Sequence, residues 1–196
     1  MTLFLASTSP RRRELLAQAG IEFTVLNVAI DESQRPNELP TAYVERLAKE
    51  KAEAGFLTVE HDENAVVLAA DTIVVLEDAI LGKPQNKAQA HEMLRSLSGR
   101  SHVVMTAFAI KTHKQVRVQR VNTTVFFRPL TSKEIEWYWQ TGEQLDKAGG
   151  YGIQGKGGIF VSSISGSYST VVGLPLAEVV VALRGLGIQA DVLSID

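Results

Sequence analysis

The 196-residue chain contains no cysteine. That excludes disulfides, thiol nucleophiles, and zinc or iron–sulfur sites built on thiolates. It also suits a reducing compartment. Charge of one sign is not in excess: 20 basic side chains stand against 22 acidic ones, with a formal net charge of −2 and a pI of about 6.1. A general nucleic-acid coat needs surplus positive charge to displace counterions, so that class is disfavoured. No apolar run reaches the ~18–20 residues of a membrane span. The arginines near the N-terminus follow the short apolar stretch Met1 to Ala6. That is the wrong order for a secretory or twin-arginine signal, and the expected setting is the cytoplasm. The chain has no internal repeat, no low-complexity linker and no clear domain boundary. What remains is 45% hydrophobic and 21% charged, the composition of a globular protein. Its length predicts a single domain over 1–196, or one domain of two lobes. A fold of this size buries about 70% of its unfolded surface, enough for a core without staples.

The pattern predicts a short strand from Leu3 and a helix opened by Ser9-Pro10 and ending near Gly20. A second strand covers Phe23 to Val28, a polar loop Asp31 to Leu39, and a helix Pro40 to about Gly55. Ala65 to Leu76 is the most apolar stretch and reads as a buried strand. A helix follows from Asn86 to Leu97, then a hairpin of His102–Ile110 and Gln115–Phe127. Thr131 with Glu134 is a capping-box pattern for the next helix. Ile159 to Val161 reads as a strand and Leu174 to Leu183 as the last helix. Alternating strands and helices with a hairpin imply an α/β fold with a mixed sheet.

Several side chains resist a purely structural explanation. Asp71 is the only charge between Ala65 and Leu76. A carboxylate in a buried strand costs several kcal/mol unless it is paired or binds a cation. One reading is a strand-end aspartate capping a turn. The other is a metal ligand or general base at a strand terminus, where α/β sheets place such groups. Lys51 follows Val44, Leu47 and Ala48 at helical spacing, so it lies on the apolar stripe. It is either a lysine snorkelling at the stripe's edge or an ammonium beside an anionic substrate. Ser7-Thr8-Ser9-Pro10-Arg11-Arg12-Arg13 leads hydroxyls and arginines into a helix N-terminus, where a bound phosphate would offset unfavourable charge. Lys83 is fixed in a Gly82-Lys83-Pro84 turn, and Glu32 opens the acidic loop.

Gly150-Tyr151-Gly152-Ile153-Gln154-Gly155 matches G-x-G-x-x-G, but a strand and not a helix is expected after it. The dinucleotide-fold and P-loop readings are therefore rejected. The segment remains a loop that lets backbone approach a ligand, with Gln154 as its main polar side chain. Clustered cations with one or two carboxylates suit phosphoryl chemistry, where catalysis is positioning and charge neutralisation. The four histidines are scattered, and no triad pattern supports a covalent intermediate.

The chain resembles the Maf family of nucleoside triphosphate pyrophosphatases. The likeness rests on Leu5-Ala6-Ser7-Thr8-Ser9-Pro10-Arg11-Arg12, Asp31-Glu32, Arg46 to Ala52, Ala70-Asp71-Thr72, Gly82-Lys83-Pro84, Asp146 to Gly155 and Val172-Gly173-Leu174-Pro175. It implies a Maf/ITPase-like fold: an elongated mixed sheet flanked by helices, two lobes and an active-site cleft. It implies hydrolysis of dTTP and UTP to the monophosphate and pyrophosphate, a divalent metal (Mg2+ or Mn2+), and a homodimer. By the same resemblance Asp71 is the proton acceptor and, with Glu32, a metal ligand. Ser7, Arg12, Lys51 and Lys83 fall on its active-site positions, and Arg11, Thr72 and Gln154 on the specificity positions of the dTTP/UTP branch. Arg13 beside the usual arginine pair is a departure. Gln154 offers both a donor and an acceptor, which matches the imide edge of uracil or thymine. The alternatives are a non-catalytic nucleotide-binding regulator of septum formation, and a pyrophosphatase for other modified nucleotides such as 7-methyl-GTP.

Overall fold

The computed structural model describes residues 1–189. Its strands are β1 (Thr2–Ala6), β2 (Thr24–Leu26), β3 (Ala65–Leu76), β4 (Ala79–Leu81), β5 (Ser101–Lys111), β6 (Val116–Phe127) and β7 (Val161–Ser165). The helices are α1 (Pro10–Gln18), α2 (Pro40–Leu57), α3 (Lys87–Leu97), α4 (Ser132–Gln140), α5 (Tyr168–Val172) and α6 (Leu176–Arg184). Short 3-10 turns cover Glu143–Asp146, Ala148–Gly150 and Lys156–Phe160. The sheet order is β2-β1-β3-β5-β6-β7, with β4 paired to β3. β2, β1 and β3 are parallel, while β4 on β3 and β7 on β6 are antiparallel. The sheet is therefore mixed, as the alternation of strands and helices implies.

Local signals act where expected. Asn86 caps α3 by accepting from the Gln89 amide, and the Thr131–Glu134 capping box on α4 is complete. Ser9 stands at the N-cap of α1 with Pro10 in its first turn, though its side chain makes no capping bond. Three expectations are corrected. The second strand is confined to Thr24–Leu26. Ile159 and Phe160 belong to a 3-10 turn, so the late strand starts at Val161. The last helix starts at Leu176, after a separate short helix, α5.

The chain divides into two compact units. The first holds Met1–Asp71, Thr106–Val121 and the described residues from Gly173. Its core includes Leu3, Leu5, Leu16, Val44, Leu47, Val66 and Leu68, all buried. α2 reaches this core through Gly55. A Cβ there would stand 2.8 Å from Ala6 Cβ and 3.1 Å from Val67 Cγ1. Glycine lets the helix lie directly on β1 and β3, and Lys51 sits one turn earlier on the same helix. Gly55→Ala gains up to about 1 kcal/mol of helix propensity, but overpacking costs about 1–3 kcal/mol. Ala6 Cβ has no rotamer to yield. Urea unfolding should show the variant less stable by about 1–2 kcal/mol; equal or higher stability would show that α2 has room to spare.

The second unit holds Thr72–Met105 and Asn122–Val172. Its core joins Val74, Leu94, Leu97, Val125, Phe127, Ile135, Tyr138, Tyr151 and Phe160. His102 is buried in this unit, edge-on to the rings of Phe127 and Tyr151. Its Nε2 lies 2.7 Å from Tyr151 Oη, and its Nδ1 has no protein partner. Burial pushes the imidazole down from 6.5 to about 4. The folded state thus disfavours the protonated ring, so its contribution is complete above pH 6.5 and is lost as pH falls towards 4. At 1.36 kcal/mol per unit the loss is about 3 kcal/mol. Unfolding free energies at pH 6.5 and pH 4 should therefore differ less in His102→Phe than in wild type, by about that amount. Parallel pH profiles would assign the acid sensitivity elsewhere.

Candidate active site

In the first unit, β1 and β2 end beside β3, which runs on past them, and this sets the site. The pairing of β1 with β3 stops at Leu5 and Leu68, so Asp71 lies past the last rung. β1 leads into Ser7 and the N-terminus of α1, and β2 leads into the polar segment that carries Glu32. Carboxyl ends of parallel strands, with a helix N-terminus beside them, are where α/β sheets bind anionic ligands.

Asp71 is 8% exposed. It is not at a strand end, because β3 continues past half-buried Thr72 through the buried apolar residues Ile73 to Leu76. Mid-strand burial is tolerated because the charge is compensated: Lys51 Nζ donates to Asp71 Oδ1 at 2.7 Å. The same ammonium lies 2.6 Å from Glu32 Oε1. Lys51 is therefore not a lysine snorkelling outward. Its side chain is 14% exposed and its head turns towards two carboxylates.

The Glu32 loop is held by α2. Arg46 binds both oxygens of Glu38, at 2.6 and 2.8 Å, and donates to the Ser33 carbonyl at 3.0 Å. It also reaches Glu50. Tyr43 Oη donates to the Glu32 carbonyl at 2.8 Å. The Arg46 hydrogen bonds hold the Glu38 carboxyl down at about 2. Asp31 is lowered by the Ser33 amide. Sequence reasoning gave Tyr43, Arg46 and Glu38 no role. The available signal was a row of Tyr43, Arg46 and Glu50 on one helical face, next to an acidic loop.

Ser7 is buried, and its Oγ accepts from the Ser9 amide and from Arg12 Nη1, both at 3.2 Å. Arg12 Nε donates to the Gly173 carbonyl at 2.8 Å. Gly173 has φ 129°, a conformation that side chains rarely adopt. Burial lowers the Arg12 guanidinium pKa; Asp71 opposes this, Arg11 adds to it and Glu32 opposes it. Arg12 is thus fixed from two sides within the field of both carboxylates. Arg11 is half-buried and Arg13 is exposed.

Thr72, Lys83 and Gln154 belong to the second unit. Thr72 is half-buried on β3, and Lys83 is exposed beside buried Pro84. The Gly82 carbonyl accepts from the Gly149 amide at 3.0 Å, which ties the Lys83 turn to the start of the glycine-rich segment. Gly149 has φ 70°, and a Cβ on it would strike Val74. Gln154 is exposed in a turn closed by the Gly155 amide on the Gly152 carbonyl. Behind this segment come the five-residue 3-10 turn Lys156–Phe160 and then β7, in place of the α-helix that the dinucleotide and P-loop motifs require.

Among the described residues, no group of three or more histidine, cysteine, aspartate or glutamate side chains stands ready for a metal. Asp71 and Glu32 do supply hard carboxylate oxygens around one cationic point. That donor set fits a magnesium-like ion that completes its shell with substrate phosphates and water.

A family model described as "Maf-like protein" matches residues 2–186. The chain is 53% identical to a protein of Aliivibrio fischeri named "dTTP/UTP pyrophosphatase", with 90% of this chain and 93% of that one aligned. It is 52% identical to a protein of the same name from Shewanella denitrificans, over 98% of this chain and all of the other. A solved structure titled as a nucleoside-triphosphatase / dITP/XTP pyrophosphatase from Mycobacterium abscessus superposes with a TM-score of 0.45 at 16% identity, covering 95% of this chain and 96% of that one.

Proposed function

The chain belongs to the Maf-like protein family, and from that premise we propose that it hydrolyses dTTP and UTP to the monophosphate and pyrophosphate. The relatives' shared name supports the substrates. The observation that carries the chemistry is buried Asp71 on the Lys51 ammonium, with Glu32 on the same nitrogen and Arg12 in their field.

Arg12, Arg11, Lys51 and Lys83 bind the triphosphate, and Ser7 holds Arg12 in place. Lys51 orients the Asp71 carboxylate through one oxygen. Asp71 takes the proton of the attacking water as the α–β anhydride bond breaks, and pyrophosphate leaves with the bonding pair. Asp71 and Glu32 would hold Mg2+ or Mn2+, which supplies charge neutralisation and activation of water. Thr72 and Gln154 select the pyrimidine. We read the enzyme as a cytoplasmic homodimer on family resemblance, and sedimentation velocity tests the dimer.

The deciding assay is pyrophosphate release from UTP, dTTP, CTP, GTP and 7-methyl-GTP with either metal. Release from UTP and dTTP ahead of the others is expected. Tight nucleotide binding without release would move the protein to the class of regulators, and preference for 7-methyl-GTP would move it to the sister branch.

A further inference from the structure

We propose that Glu143 is a positioning residue for base selection: its carboxylate clamps the glycine-rich turn that presents Gln154. The proposal rests on the reading that Gln154 meets the base. Glu143 opens the 3-10 turn after α4. Its Oε1 accepts from Tyr138 Oη at 2.9 Å and from the Gly157 amide at 3.1 Å. Its Oε2 accepts from the Lys156 amide at 2.8 Å. Tyr138 Oη in turn accepts from the Gly152 amide at 3.1 Å. The turn is therefore tied on both shoulders of Gln154, at 152 and at 156–157.

The anchor is rigid, because Tyr138 is fully buried. Lys147 Nζ donates to the Glu143 carbonyl at 2.9 Å, fixing the backbone from which the carboxylate extends. The glycines are explained by the same clamp. A Cβ on Gly155 would fall on the Glu143 carboxylate, and one on Gly157 would come within 2.8 Å of Tyr138 Oη. Two glycines of the G-x-G-x-x-G pattern, Gly152 and Gly155, thus close on a protein carboxylate, while Gly150 packs towards Met93 and Pro84. Burial pushes the Glu143 carboxyl up, but the Gly157 and Lys156 amides and the Tyr138 hydroxyl outweigh it and hold the group below its ordinary value. The ionised form is the one the clamp uses.

Glu143→Gln replaces one accepting oxygen with an amide that faces a donor. Steady-state kinetics on UTP and CTP separate the base from the shared triphosphate and ribose. For UTP, kcat/KM should fall about tenfold, mainly through KM, while CTP changes less than about twofold. In a Gln154→Ala background the same substitution should leave the UTP/CTP ratio unchanged, because the two residues act as one unit. Equal losses on both nucleotides, or an undiminished loss in the Gln154→Ala background, would overturn the proposal and leave Glu143 a general structural support. An unchanged UTP/CTP ratio in Gln154→Ala alone would instead refute base reading by Gln154, and the proposal would fall with it. Should Glu143→Gln not fold, Tyr138→Phe cuts the link to Gly152 and is expected to lower the same ratio about threefold; an unchanged ratio there counts against the clamp.

Discussion

Asp71→Asn will reduce pyrophosphate release from UTP and dTTP by about a thousandfold or more while the protein stays folded. Asparagine keeps the shape of the side chain but cannot take a proton from water, and general-base catalysis alone is worth about 10²–10⁴. The substitution also removes one of the two carboxylates that face Lys51. The fold tolerates this because Lys51 keeps Glu32 at 2.6 Å, so the ammonium is not left without a counter-charge. The expected stability cost is about 1–2 kcal/mol, towards the low end for a hydrogen bond to a charged group, because the asparagine oxygen still accepts from Lys51. Activity and urea unfolding on the same preparation separate the two effects. A drop of only about tenfold, with unfolding unchanged, would mean that another group takes the proton.

Lys51→Met should lower kcat/KM by a hundredfold or more and should cost more stability than Asp71→Asn. Methionine fills the volume of the stem, but two carboxylates then share a site without their cation. One of them, Asp71, is 8% exposed and has little water to replace the ammonium. Removing one partner of a buried pair costs about 3–5 kcal/mol; the greater exposure of Glu32 lowers the expectation to about 2–3 kcal/mol. Combining Lys51→Met with Asp71→Asn should therefore be less harmful to stability than the two separate costs added together, since the second change removes the charge stranded by the first. Additive costs would show that Lys51 and Asp71 are neighbours without being energetic partners. Together with the Gly55→Ala and His102→Phe experiments, these measurements test the scaffold and the chemistry separately.

The elements themselves were legible because their causes are local. The apolar run of β3, the capping box of α4 and the proline starts of α1 and α2 each lie within a few residues of sequence. The strand at 161 and the short helix α5 were less legible. Glycines dominate the segment before them, and its conformation is decided by Tyr138 and Glu143, which stand earlier in the chain. Asp71 stood out as a lone charge in an apolar strand, and its position relative to the strand's end did not.

Composition and motif order by themselves determined an α/β chain without thiol chemistry, with cations and carboxylates of the kind that handle phosphates. Residue type and spacing carry that information, since periodicity and capping act over a few residues. Only the tertiary structure decided that Lys51 turns inward to Asp71 and Glu32, that Arg12 is locked by Ser7 and Gly173, and that Glu143 holds the turn around Gln154. All of these bonds except Arg12 to Ser7 join residues well separated along the chain. Which partner each charge meets depends on how closely α2 lies on the sheet at Gly55 and how tightly the glycine-rich turn closes, and packing settles both.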